Sequence, residues 1–173
     1  MPARLVLLLS LWLAACASYD GRGLEPGRAD TAEAEALMGA PAVRWREADG
    51  GETLVYPRGP QGIHTWFLRF DAAGRLLQRE NVLDTRHFAR IRPDMTPDEV
   101  VRILGPSVAH WTIRYEARNE LVWEWRYCDD WNEPARFNVL FDATTLRVRS
   151  TAAATEALRG VDGIGWFRDY CSR

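Results

Sequence analysis

The sequence predicts an α+β protein built as two tandem α-α-β-β-β units, with short helices packed on antiparallel three-stranded sheets. Three observations lead there. The stretch DMTPDEVVRILGPS, residues 94–107, encodes a helix with both of its ends specified. A second stretch, DTAEAEALMGAPAVRW, repeats its layout upstream. After each copy, aromatic and aliphatic residues alternate with polar ones at the period of a half-buried strand.

Taken in chain order, residues 1–15 hold one basic residue, Arg4, then apolar runs and small residues. This is the layout of a secretory signal, too short for a permanent membrane span. Leu13–Cys16, LAAC, resembles the lipobox of bacterial lipoproteins. The resemblance implies cleavage before Cys16, lipidation of Cys16, and, because Ala17 rather than Asp follows, sorting to the outer membrane. More than one acyl chain makes such an anchor durable without a spanning helix. Residues 16–23 are then expected to form a lipidated linker.

Residues 24–82 form the expected first unit. Its entry segment runs into a helix capped by Asp30, with Glu33 as the reciprocal partner of a capping box and Gly39 as the stop. Residues 83–151 form the expected second unit, which opens on a short helix carrying Leu83, Phe88 and Ile91. The principal helix follows, with Thr96 as cap, Pro97 in the first turn, Glu99 as box partner and Gly105 as stop. Asp30–Trp45 aligns on Thr96–Trp111 without a gap, so cap, partner, stop and Trp coincide. Eight residues make a marginal helix alone, so each copy must dock its apolar side.

The strands come next. Trp66, Leu68 and Phe70 alternate in the first unit; Trp111, Ile113 and Tyr115, then Trp123, Trp125 and Tyr127, then Phe137, Val139 and Phe141 alternate in the second. The turns DAAG and DATT follow matching Phe-Asp pairs at 70–71 and 141–142 and send the chain back antiparallel. Residues 152–173 are expected as a C-terminal tail. Once Cys16 is modified, Cys128 and Cys171 remain as an even pair in an oxidising compartment, and a disulfide between them would tie that tail to the body.

The run IRPDMTPDEVVRILGPS is similar to the helix-turn of SmpA/OmlA-type (BamE-like) outer-membrane lipoproteins. Met95, Thr96, Glu99, Val100, Ile103, Leu104 and Gly105 meet that family's pattern. Asp94 stands where the family usually has Gly, and Ser107 where it has Pro. The two tandem units resemble the arrangement of the β-lactamase-inhibitory proteins. The resemblance implies a lipid-anchored protein on the periplasmic side of the outer membrane, an accessory or scaffold in β-barrel protein assembly or envelope integrity. Its implied partners are outer-membrane assembly proteins and anionic lipid. The alternative is a periplasmic protein-binding or inhibitory module that uses the tandem sheet face to hold another periplasmic protein.

The formal net charge of −2 becomes −3 when Arg4 leaves with residues 1–15, and this gives no basic face for nucleic acid. His64, His87 and His110 are too widely spaced to form a ligand motif, and YCDDWNE lacks the alternating ligands and turn glycine of a calcium loop. The chain is therefore expected to be non-catalytic, with no cofactor, no metal and no small-molecule substrate. Partner contact is expected from Arg58, His64 and Trp66, in and beside the loop YPRGPQGIHTW, because loops on a rigid scaffold often carry binding. Arg114 and Arg126 are added, on the face opposite the aromatic stripe.

Overall fold

In the computed structural model, which describes residues 18–159 and Cys171, the chain forms two antiparallel four-stranded meanders. Helix α1 (Thr31–Met38) precedes β1 (Val43–Arg46), β2 (Glu52–Pro57), β3 (Thr65–Phe70) and β4 (Leu76–Asn81), which pair in that order. Then come α2 (Thr85–Phe88), α3 (Pro97–Leu104), β5 (Ile113–Tyr115), β6 (Glu120–Cys128), β7 (Pro134–Asp142) and β8 (Val148–Thr155), the last four again paired in order.

This corrects the expected α-α-β-β-β units with three-stranded sheets: the protein is mostly β, and each sheet has a fourth strand. In the first half both β1 and the return after DAAG are full members, with Val43 opposite Val55 and Leu76 opposite Phe70. In the second half the return after DATT becomes β8, which runs past residue 151 into the expected tail. The sheets take these segments because adding a strand satisfies its backbone N–H and C=O groups at the edge. The expected entry helix of the first half is absent, since Gly21, Gly23 and Gly27 all adopt positive φ and break the helical path. In the second half that helix shrinks to the four residues of α2. Trp111 closes a 3-10 turn, Ala109–Trp111, and is not part of a strand.

Both principal helices start and stop as their sequences encode. Asp30 and Thr96 each complete a reciprocal capping box, with Glu33 and Glu99 respectively. Gly39 (φ 84°, ψ −173°) and Gly105 (φ 73°, ψ 177°) end them in a backbone region that is essentially confined to glycine.

The layers follow from which side chains each strand turns up and down. Leu54, Tyr56, Leu68, Phe70 and Leu76 leave one face of the first sheet and bury Ala34 and Met38 of α1. Val55, Phe67 and Val82 leave the other face and meet Val100, Ile103 and Leu104 of α3. The opposite side of α3 packs on Trp125, Phe137, Val139 and Phe141 of the second sheet, so α3 is the filling between two sheets. Trp125 Nε1 donates to the carbonyl of Gly105 at 3.2 Å, joining the end of α3 to β6. Phe88 of α2 stacks on Phe137 with ring centroids 4.0 Å apart, closing the same core.

Candidate interaction sites

The β2–β3 loop and the segment that follows Cys16 form one corner. Arg58 donates through Nε to the carbonyl of Tyr19 at 2.6 Å and through Nη2 to that of Ser18 at 2.8 Å. Its guanidinium lies 5.6 Å from the ring centroids of both Tyr19 and Tyr56. Arg58 is thus a strap that holds residues 18–19 down. The amide of Ser18 donates to Leu37 at 2.6 Å, so the part of the expected linker that is described is docked on the body.

His64 stacks on Trp66 with centroids 5.3 Å apart, and its Nδ1 lies 2.9 Å from the Tyr19 hydroxyl. That hydroxyl also accepts from the amide of Ile63 at 3.2 Å, which leaves its proton to donate to His64 Nδ1. Burial pushes the His64 pKa down and outweighs the attraction of Asp20, so the ring is neutral at neutral pH, as an accepting Nδ1 requires. Arg79 covers the outer face of the corner, 5.1 Å from the Trp66 ring centroid and donating to the Asp20 carbonyl at 2.6 Å. Tyr19, Asp20, Arg58, His64 and Trp66 line a cleft of about 640 Å³ together with Arg22. Among the described residues nothing bonds to Trp66 Nε1 or the Tyr56 hydroxyl.

Arg58, His64 and Trp66 therefore come together, and Arg114 and Arg126 lie elsewhere. Arg126 is buried, 5% exposed, on the face of β6 opposite Trp125, where it grips Glu156 with Nε at 2.7 Å and Nη2 at 2.8 Å. Its Nη1 donates to the carbonyl of Gln61 at 3.2 Å, tying the β2–β3 loop to the second sheet. Arg136 shares Glu156 at 2.6 Å, pairs with Glu124, and lies under the Trp111 ring. The network is a clasp between the halves of the molecule rather than a contact surface. Arg114 is paired with Glu116 at 2.7 Å beside an exposed edge.

Sequence reasoning passed over a second site. The β6–β7 turn, Cys128–Glu133, holds Trp131 86% exposed. Asp129 makes the turn rigid: its Oδ1 accepts from the amides of Trp131 at 2.9 Å and Glu133 at 2.8 Å, and Asn132 takes the left-handed conformation. The available signal was a Trp inside an acidic turn, which needs no Trp for its own folding. Directly beside it, Cys128 is bonded to Cys171.

Cys16 lies outside the described residues. Among the described residues no helix is long and apolar enough to cross a membrane, and no group of His, Cys, Asp and Glu could hold a metal ion. The chain matches no family model, no curated protein and no solved structure.

Proposed function

We propose that the protein is a non-catalytic lipoprotein, anchored through Cys16 to the outer membrane on its periplasmic side, that acts as an accessory or scaffold in β-barrel protein assembly or envelope integrity. The lipobox-like LAAC and the family-like capped helix support this reading from sequence. The observation that carries it is the strap on Ser18. Arg58 and the Leu37 carbonyl hold the chain two residues after Cys16, and two residues span at most about 7 Å. An acylated Cys16 would hold the folded body flush against the bilayer, with the Tyr19, Arg58, His64 and Trp66 corner nearest the lipid. Tyr and Trp suit that interface, where an apolar ring and a polar tip are both satisfied.

Crosslinking of the lipidated protein in intact cells tests this. Barrel-assembly components among the products support the scaffold reading. A single soluble periplasmic protein would favour the alternative of a binding or inhibitory module, which the exposed Trp131 supports on its own account. Cys16→Ala is expected to release the protein from membranes, and continued membrane association of that variant would refute the anchor.

A further inference from the structure

The two sheets end in four edge strands, and three of them are blunted. Strand β1 is four residues long and carries Arg44 and Arg46, and β5 is three residues long. On β4 the backbone of Leu76 is taken by Gly27 and Ala29, and Arg79 and Glu80 follow. Short length and charge are the usual defences of an edge against pairing with another chain.

Strand β8 is different: it has eight residues, no Pro, and no charge between Ser150 and Thr155. Asp94 and Met95 cover only its first residue, bonding both backbone groups of Val148 at 2.9 Å. At its far end the amide of Glu156 donates to Pro134 at 2.8 Å, which sets the phase of the ladder. By antiparallel alternation Ser150, Ala152 and Ala154 turn their backbone groups toward β7, and Thr151, Ala153 and Thr155 turn theirs away. No described residue bonds to the backbone of those three on the open side, and Thr151, Ala152 and Ala153 are exposed.

The open run reads Thr-Ala-Ala-Ala-Thr, the same in both directions about Ala153. We propose that two copies of this chain associate through β8, antiparallel about a two-fold axis at Ala153, to join their second sheets into one of eight strands. In that register Ala153 meets Ala153 of the second copy, and Thr151 meets its Thr155. Each outward-facing residue then lies opposite another outward-facing residue, so every open N–H and C=O in the run finds a partner. The paired threonines also lie on one face, where their hydroxyls can bond. Self-complementarity about an axis is what a two-fold contact demands. A foreign extended peptide could use the same edge, but nothing in β8 would select its register. A single strand pair buries less than the roughly 1,600 Å² of a standard interface, so the dimer is weak and concentration-dependent.

Sedimentation of the full chain in mild detergent, across a wide concentration range, tests the proposal. The mass is expected to climb from monomer to dimer. Ala153→Pro removes an N–H that points away from β7, so thermal unfolding should be unchanged while association weakens at least tenfold. Ala153→Lys and Ala153→Glu should each stay monomeric, because only the residue on the axis meets its own copy, and an equimolar mixture of the two should dimerise. If Ala153→Pro fails to fold, the Lys and Glu pair decides. A wild-type chain that is monomeric throughout, a dimer that survives Ala153→Pro, or a mixture no stronger than either charged variant alone would overturn the proposal.

Discussion

Helices α1 and α3 have the same length, the same reciprocal capping box and glycine stops of nearly equal backbone geometry, yet they occupy different layers. The outer helix, α1, buries Ala34 and Met38 against one face of the first sheet. The inner helix, α3, buries Val100, Ile103 and Leu104 between both sheets, and Arg102 reaches Glu47 at 2.7 Å with its guanidinium 4.4 Å from the Trp45 ring centroid. Local capping chemistry decides where a helix begins and ends. The width of its apolar side decides how many sheets it can serve. The second sheet therefore has α3 on one face and the buried network of Glu124, Arg126, Arg136 and Glu156 on the other, whereas both faces of the first are covered by apolar packing.

The largest expected effect comes from breaking that polar layer. Glu156→Ala leaves the buried Arg126 and the half-buried Arg136 without their shared carboxylate and should cost about 3–5 kcal/mol in urea unfolding. Burial pushes the Glu156 pKa up, but hydrogen bonds from Arg126 and Arg136 outweigh it and hold the carboxyl below its usual range. With the folded pKa depressed, the contribution is full above the unfolded value of about 4.3 and is lost as pH falls below it. An acid titration of stability should therefore be shallower in Glu156→Ala than in the wild type.

Next is the helix between the sheets. Leu104→Ala should cost about 2–5 kcal/mol and raise hydrogen exchange in both sheets, because Leu104 is fully buried in a core that both share. Met38→Ala, though comparably buried, should raise it in the first sheet alone. Equal spread of exchange in the two variants would undo the distinction between outer and inner helix.

The glycine stops sharpen the same comparison. Gly39→Ala should cost about 1–3 kcal/mol, since the strain is in the backbone and a Cβ there meets open space. Gly105→Ala should cost more, because its Cβ would approach Thr65 Cγ2 to 2.7 Å and Val55 Cγ1 to 3.2 Å. Paired thermal melts read the difference, and equal costs would mean that α3 is free to move off the first sheet.

These contrasts mark what the sequence could convey. Caps, stops and strand alternation are local signals, so Asp30, Thr96, Gly39, Gly105 and most strands were legible. The number of strands was not, because whether the returns after DAAG and DATT pair fully depends on an edge supplied from elsewhere in the chain. Of the candidate contacts, Arg58, His64 and Trp66 share one loop and one strand start, and proximity in sequence made them a group. Arg126 looked like a surface residue by alternation, since its face is opposite Trp125. Its burial comes from Glu156, Arg136 and the Gln61 carbonyl, which no local pattern links. Tyr19 and Arg79 joined the corner through contacts equally remote in sequence.

The smallest expected effect is at Tyr56, which lies on the α1 face of the first sheet, as Tyr127 lies in the core around α3. Its ring is 2% exposed, and its hydroxyl finds no partner among the described residues, so the ring contributes apolar packing while the hydroxyl is desolvated without return. Burial, helped by the negative charge of Glu35, pushes its pKa up to about 12. A folded pKa above the unfolded value of about 10 means that the neutral form is favoured in the fold. The associated stability is fully present below pH 10 and is lost as pH rises through 12. Tyr56→Phe keeps the ring and removes both the unpaired hydroxyl and the titration. At neutral pH it should be within about 1 kcal/mol of the wild type, on the stable side. Between pH 10 and 12 its melting temperature should fall less steeply than that of the wild type. Parallel alkaline curves would mean that Tyr56 ionises as freely in the fold as in the open chain.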